Sequence, residues 1–353
     1  ELVYNQLPFT EGDVWHKEYR VLAKKRIEAL EIFNQMELRV ITEPISDNNI
    51  RVVIRATDTS IYYTDLVEFA FMKTVDLGYQ QLNQTFRNPL GNGVNIETGL
   101  NWSKNPWWKI GTHFKVGSGI TGICQYMNFN NKLEFNGISY QEDGYQNKLE
   151  FVQIPTASFQ LIYDLTYQSN SYIEQTDESQ QQYLKGDFQV NWDKYGLLQA
   201  SLIGAKSLEE DSPDFCKFQF DYIDYKNIGS DQFVYKLQGG ITSPETPFNY
   251  QFHGGGFSNI PFRGHSYNLG GDRFLKVAAE YHKSIFMPEI KLIVFTDVGK
   301  IVPVDIDFNS EKWLFDKGVG IYYKTPLGIP FRLDAGFNQK GEYRINFGFG
   351  HSF

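Results

Sequence analysis

The chain has two cysteines in 353 residues, Cys124 and Cys216, and they lie far apart. That is too few for a disulfide framework, and no CxxC pair offers a metal site. Whether the two pair with each other stays open. Long apolar runs are missing as well. No stretch approaches the ~20 unbroken apolar residues that a membrane-spanning helix needs. The histidines, at 16, 113, 253, 265, 282 and 351, do not fall into a ligand spacing such as HExxH. There is no GxSxG nucleophile turn. Gly254 to Gly256, even with Gly264, makes a poor phosphate loop because no Lys-Ser/Thr pair follows. Positive charge is also in deficit, with 33 Lys and Arg against 42 Asp and Glu, a net charge of −9. Such a balance argues against a nucleic-acid surface. These absences point to a protein that is not an enzyme and that uses no metal and no cofactor. The chain opens on Glu1 with no charged-then-apolar leader, which suits a mature form or a piece of a longer protein.

Aromatic residues, by contrast, are abundant. They make up 16% of the chain, with 29 Phe and 22 Tyr, and glycine reaches 31. Yet the mean hydropathy is only −0.40. The last eleven residues, Tyr343 to Phe353, reconcile the two facts. Tyr343, Ile345, Phe347, Phe349 and Phe353 alternate with Arg344, Asn346, Gly348, Gly350 and Ser352. A period of two gives a strand one apolar and one polar face. A transmembrane β-barrel needs an outward apolar face and a polar lumen, which dilutes the average hydropathy. It also removes the exposed edge that such a strand would leave in a soluble sheet. The edge of a soluble sandwich is the alternative for this strand taken alone.

Residues 1–58 carry a different pattern. A helical spacing opens near Asp13, a candidate N-cap, and runs through Tyr19, Leu22, Ala23, Ile27 and Leu30 to about Phe33. Two alternating segments follow, at Met36 to Ile41 and Ile50 to Ala56, with turn residues from Pro44 to Asn49. This is a small α+β module, which could equally be an ordinary capping subdomain. From about Ile61 the pattern turns all-β. Val94 to Leu100, Trp108 to Val116, Phe159 to Tyr167, Leu184 to Trp192, Leu197 to Ile203, Phe215 to Tyr222 and Phe233 to Thr242 alternate between turn-rich breaks. Tyr and Trp gather near segment ends, as aromatic girdles do. Residues 61–353, at ~18 per strand and connection, make about 16 antiparallel strands.

The final hundred residues carry the sharpest motifs. Tyr250 to Tyr267 is glycine-rich and cannot all be strand. Three alternating segments follow, and taking their apolar faces as lipid-facing turns Glu280, Asp297, Arg332 and Asp334 into the lumen. The opposite choice would set charge against hydrocarbon, at ~2–4 kcal/mol for a basic residue near the midplane.

These motifs resemble the BamA/TamA superfamily of outer-membrane barrels. Pro261-Phe-Arg-Gly-His265, preceded by Gly255 and Gly256, is similar to its (V/I)RG(F/Y) loop motif, with His265 where an aromatic residue is usual. Phe295-Thr-Asp-Val-Gly299 matches FxDxG. Thr325 to Pro330 followed by Arg332-Leu-Asp334 resembles the run of the penultimate strands. At the front, Glu11-Gly-Asp-Val-Trp15 and the helix after it resemble a POTRA module whose first strand is barely present in Leu2 to Leu7. The resemblance implies an all-β transmembrane barrel preceded by a POTRA-like domain, in the outer membrane of a Gram-negative bacterium, with that domain in the periplasm and upstream modules possible beyond it.

It further implies a loop folded into the lumen, with Arg263 against Asp297 and Glu280 as a second acidic neighbour. Gly264 turns the backbone, Gly299 leaves room at the wall, and Phe295 and His265 flank the pair. The lateral seam would close the last strand, through Gly348, Gly350 and Phe353, on a first strand near Asp76 to Arg87. The implied function is assembly and insertion of nascent outer-membrane proteins, with periplasmic chaperones or accessory lipoproteins as partners and the bilayer as solvent. The alternative is a translocation pore, or a membrane anchor for an N-terminal passenger enzyme.

Overall fold

A computed structural model describes all residues except 1, 34–36, 47–48, 59–65, 91, 136–137, 175–176, 195, 257–259, 267–268, 286, 304, 325–329 and 350–353. The chain packs as two compact units. The first comprises residues 1–132 with 141–188, and the second residues 133–140 with 189–353. Among the described residues no helix is long and apolar enough to cross a bilayer.

The first unit opens with the helix α1 (Lys17–Glu28), whose Leu22, Ala23 and Ile27 are buried. It lies against a hairpin of β1 (Arg39–Ser46) and β2 (Asn49–Arg55). The helix starts later than its periodicity suggested. Asp13 does not cap it; Asp13 Oδ2 instead accepts from the Thr10 amide at 2.6 Å and the Thr10 hydroxyl at 3.0 Å. That local turn satisfies the carboxylate, which holds its pKa below the ordinary range.

Residues 66–78, expected to be extended, form the helix α2 (Leu66–Gly78). The strand after it, β3 (Gln81–Phe86), is followed by β4 (Asn95–Asn101), β5 (Trp107–Gly117) and β6 (Ile120–Phe135). Three long strands come next: β7 (Ile138–Thr156), β8 (Phe159–Glu174) and β9 (Asp177–Trp192). They exceed the ~9–11 residues that a bilayer requires. Their Gln- and Ser-rich tips lost the apolar alternation because neither face there needs hydrocarbon. The N-terminal segment is fastened to the turns at one end of these strands. Arg26 Nε donates to Ile154 O at 3.0 Å, and its two terminal nitrogens reach Pro155 O at 3.4 Å and Ser118 Oγ at 3.3 Å. Lys25 donates to Ala157 O, and the Gly119 amide donates to Gln6 Oε1 at 2.9 Å.

The second unit contains β10 (Leu197–Ser207), β11 (Phe215–Ile228) and β12 (Asp231–Thr242). The short strands β13 (Phe252–Gly254) and β14 (Leu269–Gly271) pair with each other and frame a loop. Then come β15 (Arg273–Ile285), β16 (Met287–Val302), β17 (Leu314–Lys324), β18 (Pro330–Asn338) and β19 (Tyr343–Phe349). Apart from the two small hairpins, the described strands join in one sheet of 15, antiparallel and nearly all in sequence order, from β3 to β19. The sequence suggested about 16. The difference has two sources: residues 66–78 are helical, and residues 243–272 leave the sheet to build the loop. The sheet is not closed among the described residues, so β3 and β19 each have one strand neighbour.

Alternation decides which side faces inward. In β15, Val277 and Tyr281 are exposed while Lys276, Ala278, Glu280 and His282 are buried. In β19, Ile345 is 65% exposed and Asn346 4%. Apolar residues outside and charges inside is the inverse of a water-soluble protein and is what a hydrocarbon solvent selects.

Candidate functional site

The loop between β13 and β14 is built by its glycines and its apolar base. Gly255 (φ 110°) and Gly256 (φ 55°) adopt left-handed conformations that favour glycine. The Gly255 amide donates to Ile260 O at 3.1 Å, and the Gly256 amide reaches Phe262 O at 2.9 Å and His265 O at 3.0 Å. Phe252, Ile260, Phe262, Phe274 and Ile301 pack into one buried cluster beneath it. Burying a Phe or Ile side chain contributes about 1.5–3 kcal/mol, so this cluster anchors the loop's base to β15 and β16.

The wall opposite the loop tip presents an electrostatic problem. Asp297 on β16 and Asp316 on β17 are direct cross-strand partners, and both are fully buried. Like charges facing each other across a ladder repel. The loop tip resolves the conflict. Arg263, 1% exposed, donates through Nε to Asp297 Oδ2 and through Nη2 to Asp297 Oδ1, both at 2.8 Å. This planar fork is the strong form of the arginine–carboxylate pair. Arg263 Nη1 donates to Glu280 Oε1 and lies 3.4 Å from Asp334 Oδ2. Its guanidinium carbon sits 3.5 Å from the centroid of the Phe295 ring, a cation–π contact in a dry site. Asp316 is met by the neighbouring residues: the Gly264 amide donates to Oδ2 at 2.7 Å, and His265 Nδ1 lies 2.8 Å from Oδ1.

A second layer of charge adds to the pairing. Arg332 binds Glu280 through Nη2 at 2.6 Å and Nη1 at 3.2 Å, and its Nε reaches both oxygens of Asp334. His282 Nε2 lies 2.6 Å from Glu280 Oε2, and Lys276 Nζ lies 3.1 Å from Asp297 Oδ1. The cations Arg263, Arg332 and Lys276 thus interleave with the carboxylates Glu280, Asp297 and Asp334. Buried charges need such pairing to avoid a desolvation cost of several kcal/mol each.

The structure brings Arg263, Gly264, His265, Phe295, Asp297 and Glu280 to one place. Gly299 stands apart from the tip. A Cβ there would come within 2.4 Å of Leu275 O, so this glycine admits the neighbouring strand β15 and not the loop. The clearance for the tip comes from Gly336, whose missing Cβ would lie 2.4 Å from Arg263 O, and from Gly264 itself, 2.7 Å from Asn338 N. Gly348 faces inward on β19 opposite Arg332. Gly350 and Phe353 lie outside the described residues, as do residues 325–329 of the penultimate motif. The first strand of the sheet, Gln81–Phe86, lies within the expected stretch Asp76 to Arg87.

Sequence reasoning missed Lys276, Asp316, Gly336 and Asn346 as members of the site. Asn346 Nδ2 donates to Arg263 O at 2.8 Å and so joins the last strand to the loop. A signal existed. Asp316, Gly318 and Gly320 share the inward face of β17, an odd run of small and acidic residues between Phe315, Val319 and Ile321.

Residues 202–353 match the Omp85 superfamily domain. Among solved structures, BamA from Haemophilus ducreyi lacking POTRA domains 1–3 is similar with a TM-score of 0.66 at 12% identity, covering 98% of this chain and 80% of that one. CdiB from Acinetobacter baumannii gives 0.65 at 11% identity, covering 98% and 70%. CdiB from Escherichia coli gives 0.61 at 13%, covering 99% and 72%. At such identities the likeness speaks for the fold. A comparison with curated proteins finds no match. Over residues 202–353 the chain thus matches the Omp85 superfamily domain, and its fold is similar to the barrel structures of BamA and CdiB.

Proposed function

We propose that this protein assembles and inserts other outer-membrane proteins, as a factor resembling BamA. The observation that carries the proposal is the charged lock. Arg263 ties a loop to β15, β16 and β18 inside an Omp85 superfamily domain. The lock fixes one side of the wall, and β19, which has one strand neighbour among the described residues, leaves backbone groups that an incoming strand can pair with. Gly348 in β19 weakens that strand's hold on its neighbour. The work is done without enzymatic chemistry or a cofactor. Residues 1–58 act as a periplasmic POTRA-like domain that receives nascent barrel proteins, with periplasmic chaperones or lipoproteins as accessory partners. The similarity to BamA covers 98% of this chain, its N-terminal part included, which supports that assignment.

The test is depletion of the protein followed by quantitation of outer-membrane barrels. A fall in their levels is expected, and unchanged levels would overturn the proposal. A second reading is a pore that moves a passenger polypeptide across the membrane, since the fold is shared with CdiB as well as with BamA. In that case depletion leaves barrel levels intact and abolishes secretion of one substrate.

A further inference from the structure

Four buried carboxylates surround the loop tip, and permanent cations meet three of them. Asp297 binds Arg263 and Lys276, Glu280 binds Arg263 and Arg332, and Asp334 binds Arg332 and Arg263. Asp316 binds neither an arginine nor a lysine among the described residues. It is 0% exposed. Its cross-strand partners are Asp297 on β16, which repels it, and Asn338 on β18, which is uncharged. The Asn338 side chain is already engaged with Lys340 and Glu342 of the following turn. One Asp316 oxygen accepts from the Gly264 amide. The other, Oδ1, faces Nδ1 of His265 at 2.8 Å, and neither atom has another partner among the described residues.

The charge count therefore falls short at one place. Arg263, Arg332 and Lys276 supply three positive charges to four carboxylates, and a buried charge left without a partner costs several kcal/mol. An imidazolium at residue 265 supplies the fourth where it is wanted. His282 does not fill that need, because it lies on Glu280, which already holds two guanidinium partners. The side chain of His265 is 12% exposed, and its other neighbour is the uncharged ring of Phe262, edge-on at 6.2 Å. When the loop leaves the wall, this ring returns to water, where imidazoles titrate at about pH 6.5. Position 265 is also where the chain departs from the (V/I)RG(F/Y) pattern. A phenylalanine there would fill the same space without a charge.

We infer that His265 is the fourth cation of the lock, and that docking of the loop takes up one proton, held between His265 and Asp316. In acid the free imidazole is already charged, and docking draws no proton from the solvent. Above about pH 7 the undocked ring is neutral and the docked pair is not, so the docked state binds one proton more. The hold of the loop on β17 then weakens as pH rises, by about tenfold per pH unit for a single proton.

The test is the pH dependence of exchange at the Gly264 amide, whose acceptor is the same Asp316. The full chain is embedded in nanodiscs, and each measured rate is divided by the intrinsic rate at that pH to give a protection factor. Between about pH 7 and 8.5, protection in the parent should fall roughly tenfold per unit. His265→Phe should remove that slope, and His282→Gln should keep it. If His265→Phe does not assemble, His265→Asn serves the same comparison. A flat profile in the parent, which is what a neutral imidazole donating from Nδ1 gives, would overturn the inference. So would a slope that survives replacement of His265 or vanishes with His282→Gln. None of these results bears on the assembly function, which rests on depletion.

Discussion

Replacing Arg263 with alanine removes the only side chain that bonds Asp297, Glu280 and Asp334 together among the described residues. Leaving His265 and His282 aside, Arg263, Arg332 and Lys276 face Glu280, Asp297, Asp316 and Asp334, so the substitution raises the carboxylate excess from one to two. Breaking a buried pair by deleting one partner costs about 3–5 kcal/mol. Here no carboxylate is wholly orphaned: Asp297 keeps Lys276 at 3.1 Å, and Glu280 keeps Arg332 at 2.6 Å. The cost therefore falls at the lower end, about 3 kcal/mol, which lowers the docked population of the loop roughly 10²-fold relative to the undocked. Hydrogen exchange reads that ratio at the Gly264 amide, whose acceptor is Asp316 on β17. Its exchange should accelerate by roughly the same factor in Arg263→Ala protein embedded in nanodiscs. Arg263→Lys should fall between the two, since a point ammonium cannot span both oxygens of Asp297. A cycle with Asp297→Ala should show coupling of about 1–3 kcal/mol. Unaccelerated exchange, or strictly additive single effects, would refute the charge-lock argument.

Other expectations follow from separate contacts. Gly336→Ala places a methyl 2.4 Å from Arg263 O and should expel the loop with the wall charges intact, seen as raised ion conductance in planar bilayers. Val319→Arg, on the outward face at 49% exposure, should destabilise insertion by about 2–4 kcal/mol if it lies near the midplane, measured by equilibrium folding into liposomes. Arg26→Ala loses bonds to Ile154, Pro155 and Ser118 and should weaken docking of α1 by about 1–3 kcal/mol, visible as faster exchange across Lys17–Glu28 with the barrel strands unchanged.

Much of this was legible because a bilayer leaves a strong imprint on sequence. The outward Phe347, Ile345 and Val294 and the inward Asp297 and Asn346 could be sorted by period alone, since lipid tolerates no charge at its centre. Paired motifs then brought Arg263 of the loop against Asp297 on β16. What escaped notice follows a common cause. Asp316 and Lys276 belong to the lock through cross-strand register, as Asp297↔Asp316 and Lys276↔Gly299 show, and register is not written in any one strand. Gly299 was assigned to the loop tip for the same reason: a glycine in sequence does not say which neighbour it admits. Residues 66–78 fall within the stretch that reads as all-β from about Ile61, whereas the chain there is helical and bonds Asn83 through Lys73 and Asp76.

The triple anchorage of one guanidinium has a mechanical corollary. Glu280, Asp297 and Asp334 belong to three different strands, so a lateral stretch of this stretch of wall must pull carboxylates off a shared cation before the ladder itself unzips. Such a rivet makes the surrounding sheet stiff in shear. Among the described residues of this unit, compliance is left to the strand beyond Asn346, whose side chain makes the last described bond to the loop. Force applied to the membrane should therefore be felt first at the carboxyl-terminal margin, with the riveted panel moving as a plate.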